Sequence, residues 1–196
     1  RVGGIGDASC FSLHPLKNLH AFGDGGMVTT NHREINGKMI MARNHGLKNR
    51  EQCDFWSFNS RLDEIQAAML SVQLPLLDKW TEERRKIAFR YNELLRPYAD
   101  VPDEGEGEYC VFQTFVVQVP RRDELMAYLN KNGVQALVHY PLPLHLQPAA
   151  KNLGYQENDF PVTMEMSKKI LSLPLYPELS EQQQDHVANL FKAFYK

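Results

Sequence analysis

Pro75 is the residue that most restricts how this chain can fold. Around it the apolar residues keep helical spacing over a long run, first Leu62, Ile65, Met69 and Val72, then Trp80, Ile87, Tyr91 and Leu94. A proline inside such a run lacks an amide donor and clashes with the carbonyl four residues back, so the helix must break or kink there. The chain therefore divides by expectation into residues 1–75 and residues 76–196, with the second helix packed on the later unit. A chain of 196 residues can build a real core without disulfide or metal staples.

Short strand signals alternate with helical ones on both sides of that break. Residues 8–13 form a buried strand by pattern, "FGDGG" a turn and "MVTTN" a second strand. Ile35, Met39 and Ala42 mark a helix from His32 to Arg43 that His45 and Gly46 close. Ser60 with Asp63 resembles a capping box at the start of the next helix. Beyond a surface connection at 96–108, "YCVFQTFVVQV" and "VQALVHY" are expected strands, separated by a helix that Gly133 ends. "PLPLHLQPAA" is expected to be irregular, and short helices around 164–170 and 181–194 finish the chain. The pattern is mixed α/β.

Composition excludes several classes of function. Charged residues make up 23% of the chain and the net charge is −2, with both signs scattered, so neither a basic nucleic-acid surface nor an acidic tail is present. Three cysteines without metal-type spacing suit a reduced, cytoplasmic setting, and no apolar run has the length of a membrane span. No metal site is expected; among the seven histidines only His139 and His145 approach ligand-like spacing. The sequence opens on Arg1 and glycine-rich turn material, "RVGGIGDASCF", which leads to the expectation that an N-terminal portion of the same protein precedes it.

One lysine stands apart. In "FSLHPLKNLHAFGDGGMVTT", Lys17 is the one lysine or arginine, in a proline-fixed loop that follows a strand. Burial disfavours an ammonium, so a lysine in such a loop can serve as a nucleophile, and Schiff-base formation is the chemistry that uses one. Ser12, five residues earlier, offers a hydroxyl to an anionic group nearby.

These segments resemble the DegT/DnrJ/EryC1/StrS family of pyridoxal-phosphate-dependent sugar aminotransferases. The likeness rests on "GDASCFSLHPLKNLHAFGDGGMVTT", "FNSRLDEIQAAML", "VHYPLPLHLQPAAKNLGY" and "FPVTMEMSKKILSLPLYPELS", four blocks in family order across essentially the whole chain. The resemblance implies an α/β, aspartate-aminotransferase-like fold (fold type I). Residues 1–75 would then be the C-terminal part of the large cofactor-binding domain, and 76–196 the small C-terminal domain.

It also implies roles for individual residues. Lys17 would carry pyridoxal 5'-phosphate as a Schiff base, Ser12 would hold the cofactor phosphate, and Asn59 would reach the phosphate in the neighbouring subunit of a homodimer. His139, Tyr140 and His14 would contact the sugar, and Lys48 and Arg50 would lie near its diphosphate. Gln113 departs from the family's usual histidine in that strand. The aspartate that pairs with the pyridine nitrogen would come from upstream of residue 1. The implied reaction moves an amino group from an amino acid, with glutamate the expected donor, to a keto sugar, with a nucleotide-linked one expected. Two alternatives are a sugar dehydratase of the same family, disfavoured because Lys17 is present, and a non-catalytic binding protein of the same fold.

Overall fold

The computed structural model describes residues 2–196, and the chain divides into two compact units, one ending at Asp78 and one spanning Lys79–Lys196. The break at Pro75 is a single 3-10 turn, Leu74–Leu76, that holds the proline where its missing amide costs nothing.

In the first unit, β1 (Ser9–Ser12) and β2 (Gly26–Thr29) pair antiparallel in the register Ser9↔Thr29 to Ser12↔Gly26. α1 (Arg33–Ala42) and α2 (Glu64–Gln73) complete it. Its core is small: Leu13, Ala21 and Leu70 are buried, with Leu19 and Leu62 packed against them.

Two expectations for α2 need correction. Ser60 does not cap the helix. Its amide donates to the Arg43 carbonyl at 2.8 Å, which holds it in an extended segment three residues too early, and Asp63 takes the N-cap position without a side-chain bond. Nor is the stripe of Leu62, Ile65, Met69 and Val72 the buried face: Ile65 is 68% and Val72 74% exposed. The helix is rolled so that Leu70 enters the core and Gln66 reaches the backbone of Phe22, accepting its amide at 2.8 Å.

The second unit is built on α3 (Leu77–Leu95), whose residues from Lys79 onward belong to it, and on a second antiparallel pair. There β3 (Phe115–Gln118) aligns with β4 (Ile170–Leu173) in the register Phe115↔Leu173 to Gln118↔Ile170. Phe115 and Val117 point inward by the strand's two-residue period and meet Tyr91, Leu125, Leu171 and Phe191 in the main core. α4 (Arg122–Lys131), α5 (Pro161–Lys169) and α6 (Glu181–Phe194) surround the sheet. Ser180 and Gln183 form a reciprocal capping box at the start of α6, and the buried Gln184 donates to the Ile87 carbonyl at 2.9 Å, tying α6 to α3.

Three stretches differ from the sequence expectation. Residues 109–114 are not strand. Phe112 takes a φ of 42°, and the carbonyls of Cys110 and Phe112 accept from Arg85 and Arg84 instead of from a neighbouring strand. Residues 134–140 are not strand either. The Asn130 side chain both donates to and accepts from Ala136 at 3.0 Å, which consumes the backbone groups a ladder would need. Only Leu137 pairs, in an isolated bridge to Ser172. The proline-rich segment, expected to be irregular, winds into 3-10 turns at Leu144–Leu146 and Pro148–Leu153. The helix expected around 164–170 ends at Lys169, and Ile170 begins β4, a strand for which no expectation was stated.

Candidate active site

The loop that carries Lys17 is closed at its base by two backbone bonds of Leu13. Its amide donates to the Gly25 carbonyl at 2.8 Å, and its carbonyl accepts from Ala21 at 2.8 Å. Between these points the loop is held by its own polar groups. The Ser12 hydroxyl accepts from the His14 amide at 3.4 Å, His14 Nδ1 accepts from the Leu16 amide at 3.2 Å, and the Lys17 amide donates to the His14 carbonyl at 2.9 Å. His20 Nδ1 donates to the Lys17 carbonyl at 3.1 Å. Lys17 is thus fixed through its backbone on both sides, and the side chain is half-buried. Its ammonium has no ion pair or hydrogen bond to any described residue. Ser12, His14 and Lys17 are the predicted site residues that the structure brings together in one hydrogen-bonded unit.

Asn59 lies on a second framework. Its segment runs antiparallel to residues 43–45, with an Asn44↔Asn59 bridge, a 2.9 Å bond from the His45 amide to the Phe58 carbonyl and a 2.8 Å bond from Ser60 to Arg43. The side chain is exposed, and its Oδ1 accepts from Arg61 Nε at 2.8 Å, which leaves the amide hydrogens outward. Asn59 borders a cleft of about 1170 Å³ together with Phe11, Leu19, Met27, Met39 and Arg61. Neighbouring Trp56 is 97% exposed. Lys48 and Arg50 stand exposed on the connecting loop, whose turn is made by Asn49 Oδ1 accepting from the amides of Glu51 and Gln52.

Gly46 makes that arrangement possible. Its φ is +74°, and an added Cβ would stand 1.7 Å from the Phe55 carbonyl oxygen. Gly46→Ala is therefore expected to destabilise the protein by at least about 3 kcal/mol, since strain and overlap fall on one backbone position. Chemical denaturation monitored by far-ultraviolet circular dichroism would report the loss, and a midpoint within error of the parent would contradict this geometry.

His139 and Tyr140 belong to the second unit, at the end of the bridged segment. His139 Nδ1 lies 2.7 Å from Ser172 Oγ, and Tyr140 is exposed with a φ of 57°. The sequence expectation missed two residues that organise these groups. Gln66 anchors the far end of the lysine loop, and its signal was a glutamine on the helix face that carries Leu62 and Leu70. Ser172 gave no signal beyond a serine between two leucines. Among the described residues no group of three or more histidines, cysteines or carboxylates could hold a metal, and no helix is long and apolar enough to cross a membrane.

Residues 1–192 match the model of the DegT/DnrJ/EryC1/StrS aminotransferase family. A protein named pleiotropic regulatory protein from Geobacillus stearothermophilus is 46% identical over all of this chain and 54% of its own length. A UDP-N-acetyl-3-dehydro-alpha-D-glucosamine 3-aminotransferase from Acidithiobacillus ferrooxidans is 37% identical over 97% of this chain and 52% of its own. The crystal structure of Streptomyces venezuelae DesV in complex with a ketimine intermediate superposes with a TM-score of 0.92 at 35% identity, over all of this chain and 53% of that one. The chain spans about half the length of the curated relatives it matches. Its fold is that of the aspartate-aminotransferase-like enzymes, and the chain belongs to the DegT/DnrJ/EryC1/StrS aminotransferase family.

Proposed function

We propose that the protein carrying this chain is a pyridoxal-phosphate-dependent aminotransferase that moves an amino group from glutamate to a nucleotide-linked keto sugar. The single observation that carries this reading is the Lys17 loop. It holds a primary amine, half-buried and without a partner among the described residues, on a backbone tied at both ends. A cofactor that bears an aldehyde and a phosphate needs an amine for the first and donors for the second. Lys17 and the exposed Ser12 hydroxyl, whose own local bond is long at 3.4 Å, fit that need. Residues 1–75 belong, in this reading, to the large cofactor-binding domain and 76–196 to the small one.

The bound cofactor supplies an electron sink that lets hydrogen leave and rejoin carbon beside nitrogen. The chain's own residues do the rest. Lys17 Nζ holds the cofactor and then accepts and returns the proton that moves between carbons. Ser12 donates to the phosphate, and the Asn59 amide donates to the phosphate of the neighbouring subunit in a homodimer. His139, Tyr140 and His14 orient the sugar. Lys48 and Arg50 neutralise its diphosphate, as cations on an exposed loop can.

The test is a product assay on the full-length protein with glutamate and a panel of keto sugars, with and without a nucleotide. An amino sugar that carries glutamate nitrogen is the expected product. A deoxy product without nitrogen would identify the dehydratase reading, and a protein that neither absorbs as a pyridoxal complex nor turns over would be the binding protein.

A further inference from the structure

We infer that Ser172 is a positioning residue for substrate binding: its buried hydroxyl fixes the His139 ring with the proton on Nε2, so that the ring presents a hydrogen-bond donor to an acceptor oxygen of the keto sugar. The inference rests on the proposed contact between His139 and the sugar and adds the group that sets its direction.

The geometry that supports it lies wholly within the second unit. Ser172 sits in the middle of β4 and is only 5% exposed. Its backbone pairs on both sides, with Val116 across the ladder and with Leu137 through bonds of 3.2 and 2.8 Å. Those Leu137 bonds register the segment that ends in His139, two residues on. The Ser172 hydroxyl lies 2.7 Å from His139 Nδ1, and no other described residue is bonded to it.

That isolation decides the direction of the bond. A hydroxyl has one hydrogen to give, and a buried hydrogen needs an acceptor. If Nδ1 carried the ring proton and donated to Oγ, the serine hydrogen would be left without one among the described residues. If the serine donates to Nδ1, its hydrogen is satisfied and the neutral ring's proton must sit on Nε2. His139 is exposed while its Nδ1 edge is tied to the sheet, so the Nε2 edge is the one free to meet a ligand. A ring so fixed can donate to a carbonyl, hydroxyl or phosphate oxygen.

Two measurements on the full-length protein test this. A long-range nitrogen–proton correlation spectrum should place the His139 proton on Nε2 in the parent and show the tautomers mixing in Ser172→Ala. In kinetics, Ser172→Ala should raise KM for the keto sugar about five- to tenfold with kcat changed less than twofold, the mark of lost uniform binding. Ser172→Thr, which keeps the hydroxyl, should recover most of that loss. In a His139→Ala background the added Ser172→Ala change should alter KM less than twofold.

An Nδ1-protonated ring in the parent overturns the inference, as does a serine effect of equal size without His139, which would mean Ser172 acts only on the sheet. If His139→Ala raises KM and Ser172→Ala does not, the inference fails and the sugar contact stands. If His139→Ala leaves KM unchanged, the contact itself is wrong and the inference falls with it.

Discussion

Lys17→Ala is expected to lower turnover of the full-length protein by a factor of about 10³ or more while leaving its thermal midpoint nearly unchanged. Proton transfer by a positioned side chain contributes typically about 10²–10⁴ in rate, and in the proposed mechanism this lysine also holds the cofactor, so both contributions would vanish together. Stability should survive because the loop is fixed by backbone groups. The Lys17 amide still donates to His14, the Lys17 carbonyl still accepts from His20, and the Leu13 bonds that close the loop do not involve the side chain. Turnover and unfolding are measured on the same preparation. Turnover above about a tenth of the parent would remove Lys17 from the chemistry, and a collapsed midpoint would mean that the side chain holds the loop after all.

Asn59 carries the second large effect. A phosphate dianion withdrawn from water needs donors around it, and in the proposed site Ser12 with backbone amides would supply only some of them. In the proposed homodimer a side-chain amide from the neighbouring subunit would add a hydrogen bond to a charged group, worth about 1.5–3 kcal/mol. Asn59→Ala should therefore weaken cofactor retention by roughly ten- to a hundredfold. The orientation seen here suits the task, because Arg61 occupies the Asn59 oxygen and the amide hydrogens are left to donate. Exposed Trp56 and Phe58 on the same segment are large apolar groups of the kind a second subunit covers.

Shared sites make a sharper expectation than affinity alone. If Lys17 works in its own subunit and Asn59 in the other, a mixed dimer of Lys17→Ala and Asn59→Ala chains places both lesions on one site and leaves the other intact. Mixing the two impaired proteins should restore up to half of the parent activity per heterodimer. Heterodimers that form without regaining activity would place Asn59 in its own subunit's site.

How much of this was legible in the sequence follows from the range over which each feature is determined. The helices at 33–42, 77–95, 122–131 and 181–194 follow from local spacing and end signals, and the structure has them within a residue or two. The lysine loop was legible because Lys17 is the one lysine or arginine among prolines, glycines and hydroxyls. Strands were harder. "VQALVHY" has strand composition, but whether it pairs depends on Asn130, which sits on the preceding helix and takes the Ala136 backbone for itself. β4 was not expected because Ile170–Leu173 begins on the last residue of the expected 164–170 helix, and periodicity cannot separate a buried strand from a helix turn over four residues. The buried face of α2 failed for a related reason. Ile65 and Val72 share the helical spacing of a core stripe, yet the roll of the helix is set by Gln66 and Phe22, 44 residues apart.

The site divides along the same line. Ser12, His14 and Lys17 are neighbours in sequence, and their hydrogen-bonded loop is a local structure. Ser172 is 33 residues from His139, and nothing in either segment announces the 2.7 Å bond between them.

The central claim is that Lys17 carries the cofactor, and one measurement addresses it without relying on turnover. The full-length protein, loaded with pyridoxal phosphate, is reduced with borohydride, digested and mapped by mass spectrometry. The account predicts a single pyridoxyl adduct on the peptide that contains Lys17. An adduct on any other lysine, with the Lys17 peptide unmodified, would contradict it.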